Sequence, residues 1–150
     1  MLEFDKKMLE ELLPHRGIAL VIDGLEYDLE KPDFITGKKI LKENDPHFTG
    51  HFPGNHIFPG HWSIEAMALT AATLIKLSRI KLQDAYPYFL GVEKFDFKRP
   101  IKPGDEIRIS VQLLETEEKR NIFTFLGEVV NQKNKIVATG TIRGTIATKI

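Results

Sequence analysis

The period of the apolar positions changes along the chain, and each change marks an element. Over residues 4–13 apolar side chains recur at helical spacing among charges, which predicts a short amphipathic helix stopped by Pro14. Residues 18–25 are apolar enough for a strand. Residues 34–41 predict a second, with Pro32 ahead of it and Gly37 inside it. Residues 61–79 behave differently. Of the 16 residues from Trp62 to Leu77, 11 are apolar, and they surround the helical wheel instead of forming one stripe. A helix of that kind must be buried on most sides. Beyond it the pattern alternates, predicting strands over 89–97, 106–116, 122–131 and 136–146. Turn signals fall between them, at Pro103-Gly104-Asp105 and around Asn121 and Asn134.

Residues 45–60 fit neither period. They hold Pro46, Pro53 and Pro59, Gly50, Gly54 and Gly60, and His47, His51 and His56. That density of proline and glycine forbids a regular element. Phe48, Phe52 and Phe58 predict a packed loop, and long packed loops inside compact domains are usually functional. The order of elements is helix, two strands, packed loop, buried helix, then about four antiparallel strands. This is an α+β pattern, in which a curved antiparallel sheet wraps one long central helix. Neither a repeat nor a linker interrupts it, so residues 1–150 read as one domain. A sheet of this length leaves edges to be paired, and a second subunit is the natural partner.

Composition narrows the function. The 21 basic and 21 acidic residues cancel, which argues against nucleic acid as the main partner. There is no cysteine, so disulfides, thiolate catalysis and cysteine-ligated zinc are excluded. The N-terminal residues carry charges from the first turn, unlike a signal peptide, and no apolar run approaches a membrane span. A cytoplasmic location is the expectation.

Two ionisable residues stand out. Glu65 lies on the second turn of the apolar helix, where an ionised, unpaired carboxylate is costly to bury. Burial would raise its pKa and favour the protonated form, which suits a general acid. His51 sits on the rigid loop, in Gly50-His51-Phe52-Pro53-Gly54, and an imidazole is a natural base near neutral pH. Blander readings share the pattern: Glu65 on a solvent-facing strip or paired with His61 one turn away, and His51 bonded to backbone. Gly60 opens the helix, where unsatisfied N–H groups could receive a carbonyl oxygen gaining enolate character. The same Pro59-Gly60 pair would also serve as a plain tight turn into the helix. The histidines His47, His51, His56 and His61 match no zinc-binding spacing, so no metal is expected.

The run from Asp45 to Ala68, DPHFTGHFPGNHIFPGHWSIEAMA, resembles the 3-hydroxyacyl-[acyl-carrier-protein] dehydratases of bacterial type II fatty-acid synthesis. Leu13-Pro14-His15-Arg16 with Val21-Ile22-Asp23 before it is similar to the family as well. So is Phe97-Lys98-Arg99-Pro100 with Pro103-Gly104-Asp105 after it. The resemblance implies a hot-dog fold and removal of water from (3R)-3-hydroxyacyl thioesters to give trans-2-enoyl thioesters. His51 would then be general base, Glu65 general acid and Gly60 the backbone donor to the thioester carbonyl. It implies that the two side chains of one site come from different protomers of a homodimer, itself possible as part of a trimer of dimers. It implies no cofactor.

The acyl chain would lie along the central helix past Phe52, Trp62, Met67 and Leu69. The partner would be an acyl carrier protein with a phosphopantetheine arm, docked on Lys98, Arg99, Lys102 and Arg108. The chain departs from the family at Leu69, where glutamine is usual, at His56 and His61, and at Gly17-Ile18-Ala19 in place of Tyr-Pro-Phe. Two further functions fit the residues: a hot-dog thioesterase, and a non-catalytic module that binds acyl carriers.

Overall fold

A computed structural model describes residues 1–148. Seven strands form one antiparallel sheet: β1 (Leu2–Phe4), β2 (Gly24–Tyr27), β3 (Phe34–Ile40), β4 (Tyr86–Phe97), β5 (Glu106–Glu117), β6 (Ile122–Val130) and β7 (Ile136–Ala147). Their spatial order is β1-β2-β3-β5-β6-β7-β4. A short helix, α1 (Lys6–Leu12), is capped by Asp5, whose carboxylate accepts from the Met8 N–H at 2.9 Å. The long helix, α2 (Gly60–Ser78), lies against the sheet.

The burial of α2 follows from its composition. Ala66, Met67, Leu69, Ala71, Leu74 and Ile75 are all buried, and so are the hydroxyls of Thr70 and Thr73. Those two hydroxyls donate back to the Ala66 and Leu69 carbonyls at 2.7 and 2.8 Å, so neither is left unsatisfied. Helix and sheet meet closely at glycine. A Cβ on Gly127 of β6 would collide with the Met67 thioether, so only hydrogen fits there. The core is continuous from α1 through α2 to β7.

The strand expected over 18–25 is corrected. Gly17–Ala19 is a 3-10 turn and only Gly24–Tyr27 pairs as a strand. Leu20, Val21 and Ile22 are buried but bridge the core without joining the ladder, so their apolarity reports packing and not pairing. β1 has three residues, too few for a period to show. The fourth strand begins at Tyr86, ahead of the expected residue 89. It contains Pro87, opposite Ile146 of β7, and proline within a sheet is tolerated chiefly on an edge strand such as this one. Among the described residues no helix is long and apolar enough to cross a membrane.

Candidate active site

The His51 loop is anchored by a buried ionic cluster. Lys39 of β3, 4% exposed, places Nζ 2.9 Å from Asp45 Oδ2. Asp45 Oδ1 accepts from the His47 N–H at 2.9 Å and lies 2.5 Å from the His47 Nδ1. The other ring nitrogen, Nε2, faces the Ile18 carbonyl at 3.0 Å. Burial alone would raise the Asp45 pKa, but the His47 N–H, Lys39 and the His47 ring bring it below the ordinary carboxylate range. The cluster thus ties β3, the segment before β2 and the loop together. The His47 ring also packs edge-on against Trp62 at 4.4 Å, which links it to the start of α2.

On this base the loop folds back on itself. Phe48 and Phe58 are buried, and the Phe58 N–H donates to the Ile101 carbonyl at 2.8 Å. The His51 N–H donates to Phe48, and the Ile57 N–H donates to the His51 carbonyl at 2.8 Å. The His51 ring returns the contact, with Nδ1 2.7 Å from the Ile57 carbonyl. A carbonyl can only accept, so this partner assigns the proton to Nδ1. Nε2 then carries the lone pair, the form a general base requires. The His51–Phe52 peptide is cis. The Phe52 ring stacks on the imidazole at 4.0 Å and is 47% exposed, outside both cavities described below.

His51 lines a cavity of about 530 Å³ with Gly60, His61, Ser63 and Phe97. Gly60, which lines this space, opens α2 behind Pro59, and Pro59 supplies no side-chain cap. A Cβ on Gly60 would lie 2.8 Å from the Phe97 ring, which explains the glycine. Lys98 and Arg99 form part of the wall.

Glu65 faces elsewhere. It lines a second cavity of about 190 Å³ with Ala68, Leu69, Ala72, Ile75 and His15. Desolvation raises its pKa, and among the described residues it has neither a hydrogen bond nor an ion pair. The pairing with His61 is therefore not made. In one protomer His51 and Glu65 belong to different cavities. The reason is helical: Ser63 and Glu65 are two residues apart on α2 and point to roughly opposite sides.

The other anticipated residues divide. Leu69 lines the Glu65 cavity. Met67 is fully buried against Gly127, facing the sheet, and Trp62 packs against the His47 and His61 rings; neither lines the His51 or the Glu65 cavity. His56 stacks on Phe48 and lies 3.4 Å from Glu43, and His61 is exposed. Among the described residues no group of three potential ligands is placed to hold a metal ion. Lys98 and Arg99 adjoin the His51 cavity, whereas Arg108 sits on β5 bound to Glu26 at 2.9 Å.

Sequence reasoning missed two polar groups: His15, whose Nδ1 is buried without a partner beside the Glu65 cavity, and Ser63, whose buried hydroxyl also lacks one. Burial, followed by the positive charges of Lys76 and Arg16, lowers the His15 pKa and favours the neutral ring. Each carried a faint signal, as a polar position in the Leu-Pro-His-Arg element or in an apolar helix.

One long helix laid on a curved antiparallel sheet defines a hot-dog fold, and solved structures agree. The dehydratase heterocomplex ApeI:P from Xenorhabdus doucetiae superposes with a TM-score of 0.78 at 18% identity, covering 94% of this chain and 91% of that one. Zebra fish thioesterase superfamily member 2 superposes at 0.68 with 15% identity, covering 94% of each chain. At sequence level the FabA-like domain family matches residues 13–140. The 3-hydroxyacyl-[acyl-carrier-protein] dehydratase FabZ of Syntrophotalea carbinolica is 36% identical over 137 residues, 91% of this chain and 90% of the relative. That of Yersinia enterocolitica is 40% identical over 134 residues, 88% of this chain and 77% of the relative. The chain belongs to the FabA-like family of 3-hydroxyacyl-[acyl-carrier-protein] dehydratases.

Proposed function

We propose that this protein dehydrates (3R)-3-hydroxyacyl thioesters carried on acyl carrier protein, with His51 of one protomer and Glu65 of its partner in each site. The observation that carries the reading is the segregation of the two groups. His51 presents a free Nε2 in one cavity and Glu65 a desolvated carboxyl in another, on roughly opposite sides of α2. The Glu65 cavity also holds the neutral His15 ring, but His51, the imidazole of the Gly50–Gly54 loop, lies only in the other one.

β4 supports a dimer that would join them. It is the twelve-residue edge of the sheet and exposes Tyr86, Phe89, Leu90, Val92 and Phe97. A long apolar edge is an aggregation hazard unless it is paired. Its last residue, Phe97, also covers Gly60, so the pairing edge runs directly to the catalytic loop.

In the reaction His51 Nε2 removes a C2 proton, which the thioester acidifies. The carbonyl oxygen gains charge and is held by the Gly60 N–H. The partner's carboxyl at position 65, whose protonated form burial favours, gives its proton to the departing 3-hydroxyl, which leaves as water. The apolar wall of Ala68, Leu69, Ala72 and Ile75 receives the acyl chain, and Lys98 and Arg99 face the acidic carrier.

The test is turnover of 3-hydroxybutyryl carrier protein, followed by mass spectrometry. A carrier-bound product lighter by one water is the expected result. Release of free carrier thiol with an intact hydroxy acid would replace this reading with a thioesterase, and binding without any product would replace it with a carrier-binding module.

A further inference from the structure

We infer that the Ser63 hydroxyl is a second hydrogen-bond donor to the thioester carbonyl oxygen, acting beside the Gly60 N–H. The inference rests on the dehydratase reading above and adds a catalytic residue to it.

Four observations converge. Ser63 is 1% exposed, and its Oγ is buried with no hydrogen-bond partner. Buried polar groups are nearly always paired, and an orphan invites a reason for its being kept. The second observation is a contrast within α2. Thr70 and Thr73 satisfy their hydroxyls on the carbonyls four residues back, whereas Ser63 does not. The carbonyl at that spacing is Pro59, which already accepts from the Trp62 N–H at 3.0 Å. Third, Ser63 lines the same cavity as His51 and Gly60. Fourth, Gly60 and Ser63 are three residues apart on a helix, so they share a face.

The chemistry supplies the use. An oxygen gaining enolate charge is stabilised best by several fixed donors in a dry site, and one backbone N–H is a sparse set. A buried hydroxyl that no protein acceptor holds loses no earlier protein bond when it rotates from that position toward the oxygen. It strengthens as charge develops, so it acts on the chemical step more than on substrate binding.

The experiment compares wild type, Ser63→Ala, Ser63→Thr and His51→Ala on 3-hydroxybutyryl carrier protein, with thermal unfolding of each. Deleting an unpaired hydroxyl leaves the melting temperature unchanged or raises it. Ser63→Ala is expected to lower kcat by about 10-fold or more with KM little changed, and Ser63→Thr to recover most of the loss. Wild-type kcat in Ser63→Ala, while His51→Ala is inactive, would overturn the Ser63 assignment and leave the dehydratase reading standing. So would a kcat loss matched by a lower melting temperature and not recovered by threonine, because the role is then structural. A wild type inert toward the substrate overturns both.

Discussion

The Ile57 carbonyl stands 2.7 Å from the His51 Nδ1 and thereby fixes which nitrogen of the ring is free to act as a base. The contact is reciprocal, since the Ile57 N–H is held by the His51 carbonyl at 2.8 Å. Backbone atoms of one loop set the tautomer, a role that elsewhere falls to a carboxylate. Replacing His51 by alanine should therefore lower dehydration by about 10²–10⁴-fold while the loop stays folded, because Phe48 and Phe58 hold it independently. Initial rates with a carrier-bound substrate, beside an unchanged near-UV spectrum, check this.

The proposed sharing of each site between two protomers predicts complementation. His51→Ala and Glu65→Gln are each inactive as homodimers. A heterodimer of the two carries one site with both native groups and one with neither. Unfolding and refolding an equimolar mixture should restore roughly a quarter of wild-type activity, since half the dimers are mixed and each has one competent site. No recovery would place both groups within one protomer.

The raised pKa of Glu65 has a definite sign in pH experiments. Desolvation lifts it in the folded state above its unfolded value. Stability is therefore fully present below the ordinary carboxyl pKa and is lost as pH rises through the raised one. With Glu65 as the proposed general acid, turnover needs its protonated form and should fall as pH rises through the raised pKa. Glu65→Gln removes the ionisation, so its melting temperature should gain on wild type as pH rises through that window. Parallel melting curves at all pH values would contradict a desolvated acid.

Asp45 has the opposite sign. Its hydrogen bonds hold its pKa below the ordinary value, so it contributes stability above the unfolded pKa that is lost as pH falls through the folded one. Asp45→Ala would leave the Lys39 ammonium buried without its counter-charge. The expected loss is about 3–5 kcal/mol in denaturant unfolding. Activity should fall further than stability alone explains, because His51 hangs from the same loop.

Gly127→Ala separates scaffold from chemistry. The new methyl meets the Met67 thioether at the sheet–helix contact, away from both cavities. A destabilisation of about 1–3 kcal/mol with near-native kcat at a permissive temperature is expected. Calorimetry and rates on the same preparation measure both.

Much of this was legible in the chain. Helix α2 announced itself because its apolar residues surround the axis; the expected limits, 61–79, differ from Gly60–Ser78 by one residue at each end. The loop was legible through its prolines and the glutamate through its incongruity. Residues 18–25 misled because Val21 and Ile22 are apolar for burial, and periodicity cannot tell a core-filling extended segment from a paired strand. The separation of His51 from Glu65 within one chain was implied only by the family resemblance, and pattern and spacing could not give it. It depends on which side of the helix the loop crosses, a fact of tertiary geometry. The Lys39–Asp45–His47 cluster was hidden for the same reason, since β3 and the loop meet only on folding.

If each site draws His51 and Glu65 from two protomers, as proposed, the placement of Ser63 and Glu65 on roughly opposite sides of α2 would leave a solitary chain chemically silent. Each copy would hold half of two reaction centres and the whole of none. Catalysis should then obey mass action: on dilution, specific activity fades with self-association while every chain keeps its helix and its sheet. On that proposal the protein's own abundance would act as a throttle on its turnover.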